Sequence, residues 1–314
     1  MRERARRGLL SARSLLLTGI GEVWSSLEQK ATARDEGTGL LLMIVSAAMF
    51  SLMAAMAKLL LPHTPPQAVV LSRGVFMAAI CVAYGARRKI PIVGKRPGML
   101  IVRGLLGYTA LSCYFYSVQH LPLGDAVLLQ YSHPAFVALL APIVLHEKTA
   151  RGHWPLVLTA LLGIALIVGP NGQLRAGALV GLTGAMFSGL AYMAVRELSR
   201  TEHPLTIMVW FPLATIPGAL IGTLLAGAAS IPRNGIEIFG HLAVFASAFL
   251  GQIALTAGLV RARAARATAA SMAGPVFGLA FGFLLFGTRP SLTSVLGTAL
   301  VIAALWKLAR SRSV

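Results

Sequence analysis

Two cations stand inside long apolar runs of this 314-residue chain: Lys58, four residues before Pro62, and Arg73, seven residues after Pro66. An ionisable group in such a run is costly unless it reaches water, a partner or a ligand. Lys58 is near enough to the end of its run to snorkel to the interface. Arg73 is about 10 Å deep at a helical rise of 1.5 Å per residue. It does not give up its proton, so it calls for backbone carbonyls, water or an anion. A second polar group, Gln130, Tyr131 and His133, interrupts another apolar run. Gln130 and His133 are three apart and share a helical face, and Pro134 removes a backbone hydrogen bond near Gln130. Pro275 repeats that interruption in a later run, beside Ser271 and Met272. The chemistry on offer is recognition of a small polar or anionic ligand. His133 is the group that would titrate if a proton moved with that ligand.

Other side chains complete the set. Tyr114 and Trp210 would suit a ligand with an apolar or aromatic body, and Gln252 is a further polar group in an apolar run. Asp125 and Glu147 stand at the two ends of the run that holds His133, so no carboxylate lies deep in any run. Movement without proton coupling, by exchange or downhill, is therefore preferred. His120 and Asp125 form H-x-x-x-x-D, in which His could act as a base oriented by Asp for acyl transfer. Gly124-Asp125 is equally a loop-to-helix cap, and catalysis there is a remote expectation. No G-x-x-x-x-G-K-[ST] or H-E-x-x-H occurs, and seven scattered histidines give no zinc spacing. No metal or cofactor is expected. Cys81 and Cys113 lie in apolar runs and form no disulfide framework.

The runs themselves are the elements that must position these groups. With 56% hydrophobic and 12% charged residues, the chain cannot coat a water-exposed surface. Runs long enough for the hydrocarbon core occur at 39–61, 66–84, 99–118, 124–144, 155–170, 176–195, 204–226, 241–260, 268–287 and 291–309. The expectation is an all-α polytopic membrane protein with ten transmembrane helices. With both termini cytoplasmic, 23 of the 28 Lys and Arg residues fall inside, Arg103 counted among them in the loop after the second span. Three fall outside (Arg175, Arg233, Arg289), and Lys58 and Arg73 are within spans, as the positive-inside rule requires. The net charge of +18 is thus a topology signal, and no nucleic-acid partner is expected. Residues 1–38 form a cytoplasmic extension, with Leu9, Leu16, Ile20, Val23 and Leu27 on one face for an interfacial helix.

An internal repeat divides the rest. Ala48-Met49-Phe50-Ser51 returns as Ala185-Met186-Phe187-Ser188, Gly107…Ala110-Leu111-Ser112 as Gly251…Ala254-Leu255-Thr256, and Pro134-Ala135-Phe136 as Pro275-Val276-Phe277. The halves are 39–170 and 176–309. Five spans per half is odd, so the halves enter the membrane from opposite sides. Inverted repeats with paired broken helices are the architecture of alternating-access secondary transporters.

The stretch from Gly104-Leu105-Leu106-Gly107 through Tyr116, Leu121-Pro122-Leu123-Gly124-Asp125-Ala126 and Pro134-Ala135-Phe136 to Glu147-Lys148 resembles the third and fourth helices of the drug/metabolite transporter superfamily, EamA type. Arg73 and Lys58 also stand where its members often carry basic residues. The second half departs from that pattern, with Thr288 in place of the acidic Glu147. The resemblance implies two inverted five-helix EamA repeats around a central cavity, and the Ala-, Gly- and Arg-rich usage, typical of a GC-rich bacterial genome, makes a bacterial inner membrane the expected compartment. It also implies export or exchange of a small metabolite by a monomer or homodimer in the lipid bilayer. An amino acid or related carboxylate or zwitterion is the expected substrate. A metallophore, vitamin, nucleotide derivative or cationic drug is the alternative. The expected binding residues are Arg73, Gln130, His133, Tyr114, Trp210, Lys58, Gln252 and Ser271, with Pro134, Pro275 and Glu147 as helix-break or gating positions.

Overall fold

The computed structural model describes residues 36–144, 154–168, 176–198, 200–227, 234–261 and 270–310. The amphipathic pattern of the N-terminal extension and Glu147 lie outside the described residues. Among those described there are eleven helices and no strand. They are α1 Glu36–Leu60, α2 Pro66–Arg88, α3 Pro97–His120, α4 Leu123–Gln130, α5 His133–Val144, α6 Trp154–Val168, α7 Ala176–Leu198, α8 Pro204–Leu225, α9 Gly235–Arg261, α10 Gly274–Phe286 and α11 Leu292–Arg310. Six of them, α1, α2, α3, α7, α8 and α9, are long and apolar enough to cross a membrane, and α10 and α11 add shorter apolar stretches. The chain is an all-α, multi-pass membrane protein.

The fourth expected span is two helices, α4 and α5, parted at Tyr131–Ser132. The ninth is α10, preceded by a turn at Met272–Ala273. Two boundaries also move from expectation. α9 starts at Gly235 rather than 241, which brings Glu237 and His241 into the helix. α3 starts at Pro97, so Arg103 stands on its second turn and is not a loop cation. Proline suits the first helical turn because its missing N–H has no intrahelical partner there. α2, α3 and α8 all open on one.

The helices pair across the two halves. α1 packs on α9 as α7 packs on α3, while α2 on α8, α4 on α10 and α6 on α11 are pairs that an exchange of halves maps onto themselves. Likewise α10 against α1 answers α4 and α5 against α7. This pattern is a pseudo-two-fold relation written in packing. Small residues permit it, as close approach without a side chain is how membrane helices associate. Gly274 sits under the Tyr131 ring, Gly278 against Val127, and Gly181 against Ser117, where an added Cβ would lie 2.6 Å from the hydroxyl. The core runs through these seams, with Phe115, Leu123, Val127 and Leu129 fully enclosed.

Candidate functional site

The break in the fourth span follows from one missing donor. Pro134 has no N–H, so the Gln130 carbonyl loses its helical partner. Tyr131 N–H still donates to Val127 O (3.0 Å), Ser132 N–H to Leu129 O (3.1 Å) and Ala135 N–H to Ser132 O (2.9 Å). The orphaned Gln130 carbonyl is met by His133 Nδ1 at 2.9 Å. A carbonyl only accepts, so Nδ1 carries the proton and Nε2 presents a lone pair in the neutral ring. The imidazole is stacked on Tyr192 of α7, centroids 4.8 Å apart and planes 9° from parallel.

The repeated serines explain themselves at the two breaks. Ser188 of α7 accepts from Gln130 Nε2 at 2.8 Å, beside the break in span four. Ser51 of α1 donates to Gly274 O at 3.0 Å, beside the break in span nine. Each serine belongs to one half and ties the broken helix of the other.

Arg73 and Arg103 converge on the ring of Phe211 in α8. Their guanidinium carbons lie 5.4 and 4.7 Å from its centroid, a cation–π arrangement from two helices at once. Arg73 is only 6% exposed. Among the described residues neither guanidinium has a hydrogen bond or an ion pair, and Arg73 Nε, Arg103 Nε and Arg103 Nη1 are buried without an acceptor. The glycines around them clear the space. A Cβ on Gly107 would stand 2.7 Å from the Phe211 ring and 2.8 Å from Arg103 Nη1, and one on Gly74 would touch Ile216 and Thr215 of α8. Tyr192 interacts electrostatically with Arg103. Its ring thus links His133 of α5 to Arg103 of α3. The Gln130 Oε1 atom is buried there without a donor.

The structure therefore links Arg73 to His133, Gln130 and the Pro134 break through Phe211, Arg103 and Tyr192, and these three, with Ser188, are residues that sequence reasoning missed. Arg103 was obscured by the basic loop before it. The repeated Arg-Gly pair at 73–74 and 103–104 was the available signal. Tyr114 is buried beside Phe115 and interacts electrostatically with Tyr131, one layer behind the site. Pro275 opens α10 and Ser271 lies just before it. Gln252 is half-buried in α9, one residue past the Gly251 carbonyl that accepts from Ser46 at 2.8 Å.

Two expected ligand residues are employed elsewhere. Lys58 Nζ donates to Val118 O (2.7 Å) and Leu121 O (2.6 Å), closing the carbonyl end of α3 instead of snorkelling. Trp210 Nε1 donates to Ile92 O at 2.8 Å and packs with Leu100, Leu198 and Ile207, tethering the loop between α2 and α3. His120 and Asp125 are not joined either. His120 Nδ1 meets Tyr116 O at 2.8 Å, and Asp125 accepts from Ser294 at 2.8 Å. Among the described residues no cluster could hold a metal ion.

Comparison with known proteins gives the same architecture twice over. The sequence profile of the EamA-like transporter family matches residues 37–169 and again 175–309. The chain is similar to the pseudopaline exporter CntI of Pseudomonas aeruginosa, at 30% identity covering 88% of this chain and 97% of that one. It is also similar to human solute carrier family 35 member G1, at 26% identity covering 88% and 80%. A crystal structure 19% identical in sequence superposes with a TM-score of 0.61 over 89% of this chain and 99% of the other, which shows the shared fold.

Proposed function

Because the chain belongs to the EamA-like transporter family, it is a membrane transporter and not an enzyme, and we propose that it exports or exchanges a small carboxylate-bearing metabolite, such as an amino acid or a related organic acid. The observation that carries this reading is Arg73, a buried guanidinium that has the Phe211 ring beside it but no hydrogen-bond or ion-pair partner among the described residues. Such a cation is costly in a membrane unless a ligand neutralises it. Residues 39–170 and 176–309 act as the two inverted halves, residues 1–38 as a cytoplasmic extension, and both termini face the cytoplasm of a bacterial inner membrane. The two halves rock about the pair of breaks, and ligand bound between them is exposed to each side in turn. Exchange or downhill export suffices. Among the described residues no carboxylate stands beside Arg73, and His133 spends its Nδ1 proton on the Gln130 carbonyl.

The test is counterflow into proteoliposomes with labelled amino acids and organic acids. Saturable uptake that falls about tenfold or more in Arg73→Gln, a loss of at least ~1.4 kcal/mol of interaction, is the expected result. Flux of carboxylates that is indifferent to Arg73 would remove this residue from the site. The 30% identity to the Pseudomonas exporter favours a second reading, export of pseudopaline or a compound like it. The same vesicles decide between the two by competition.

A further inference from the structure

Resting on the transport reading above, we infer that the substrate carries at least two anionic groups, one for Arg73 and one for Arg103, together with an N–H or O–H donor for Gln130. The two guanidiniums flank a single aromatic ring, at 5.4 and 4.7 Å from its centroid, and three of their nitrogens are buried without an acceptor. Two like charges this close in a low-dielectric interior repel each other and have both lost hydration. A ring face compensates only part of that loss.

The chain supplies no counter-charge among its described side chains. Asp125 accepts from Ser294, and Glu197 pairs with Arg96 and Arg200. Glu202 accepts from the Lys95 and Arg96 amides, and Glu237 from Asn234. All four are committed away from Phe211. Guanidinium binds carboxylate through two parallel N–H···O bonds, and the unused Nε edge on both arginines is the edge such pairing takes. A monocarboxylate neutralises one of them and leaves the other as costly as before. A dicarboxylate or larger polyacid neutralises both, with its body lying along Phe211. Beyond Tyr192, which interacts with Arg103 and stacks on His133, stand acceptors that want the opposite partner. Gln130 Oε1 is buried without a donor, and neutral His133 presents its Nε2 lone pair. The chemical class that fits is an amino- or hydroxy-substituted di- or polycarboxylate.

The experiment uses the full-length protein purified in detergent, with malate, citrate, lactate and malamide as probes and the melting midpoint as readout. Malate and citrate are expected to raise the midpoint by several degrees, lactate by much less and malamide not at all. In Arg73→Gln and Arg103→Gln the malate affinity falls about tenfold or more, to the lactate level, as for loss of one charged hydrogen-bonded partner. Without probe, each single variant melts at or above the wild-type midpoint, because one of two repelling buried cations is gone. A structural role would move that midpoint down. Arg200→Gln, which removes an exposed arginine paired with Glu197, is expected to leave the ranking of probes unchanged. Equal response to all four probes, no response to any, or a wild-type anion response that persists in both arginine variants overturns the proposal. Labelled-malate counterflow separates the two readings. Charge-ranked binding without flux would overturn transport of these acids and leave the paired-anion site standing. Flux of neutral or cationic solutes unaffected by either arginine would overturn the paired-anion site and leave transport standing.

Discussion

Lys58 and Arg73 are both basic residues within apolar helices, and their surroundings give them opposite work. Lys58 Nζ has two carbonyl acceptors at 2.7 and 2.6 Å, from Val118 and Leu121, while Arg73 has none among the described residues. Replacing Lys58 with Met should leave those two carbonyls unmet at about 1–3 kcal/mol of lost stability. The expected outcome is a lower melting midpoint with the substrate KM in vesicles unchanged; a raised KM would return Lys58 to the binding site. Both residues were legible in the sequence as misplaced cations. Which one was spoken for was not, because Lys58's acceptors come from the end of another helix that only the packed bundle brings near. Arg103 was hidden for a related reason. Beside Arg87, Arg88, Lys89, Lys95 and Arg96 it counts as one more cation of the basic end of the 99–118 run, and only the packed bundle sets it over Phe211. Trp210 misled in the other direction, since an aromatic side chain in an apolar run carries no mark of the loop carbonyl it will find.

The broken helices are the elements on which the proposed mechanism turns. Pro134 and Pro275 announced them, and the pairing of the two followed from the repeat alone. Two features had no counterpart in the local pattern. The turn falls at Tyr131–Ser132, ahead of the proline, and His133 itself occupies the carbonyl that Pro134 frees. Pro134→Ala restores an N–H at the position where a helix would bond Gln130 O. Pro134 stands in the first turn of α5, where proline is tolerated, but inside a continuous helix it would cost on the order of 3 kcal/mol relative to alanine. The variant removes that bar, so it should favour the continuous helix, release His133 from its stacked position on Tyr192, melt no lower than wild type and transport more slowly. Thermal unfolding together with initial rates of counterflow checks this. A variant as fast as wild type would mean that the break is not a working hinge.

At the scale of the whole molecule, one end of the bundle is strapped shut across the two halves. The buried Glu202 carboxylate accepts from Lys95 N–H at 2.7 Å and Arg96 N–H at 2.6 Å. Thr206 Oγ1 donates to Pro91 O at 2.8 Å, and Trp210 Nε1 to Ile92 O at 2.8 Å. The Arg96–Glu197 pair, partly exposed, adds little by itself. The loop from the first half is thus held by the α7–α8 corner of the second, on the side where α1 begins. Glu202→Gln removes the charge from these bonds and keeps the shape. Hydrogen exchange at residues 90–96 should speed up severalfold, as charge-assisted bonds to a carboxylate are about twice as strong as neutral ones. Unchanged protection would show that the strap does not depend on that charge. The all-helical membrane fold and its repeat could be read from apolar runs and repeated motifs. The strap could not, because Glu202 looks like an ordinary loop acid until the fold lays residues 91–96 over it.

The crossed serines carry a consequence for how such a chain can be divided. Ser51 secures the interruption at Gly274 and Ser188 the one at Gln130. A chain cut in the linker between α6 and α7 leaves each fragment holding the other's fastening. Neither piece can complete its own interrupted helix, yet two copies of a single piece, set head to tail, could fasten one another. Co-produced fragments should therefore find each other in the bilayer.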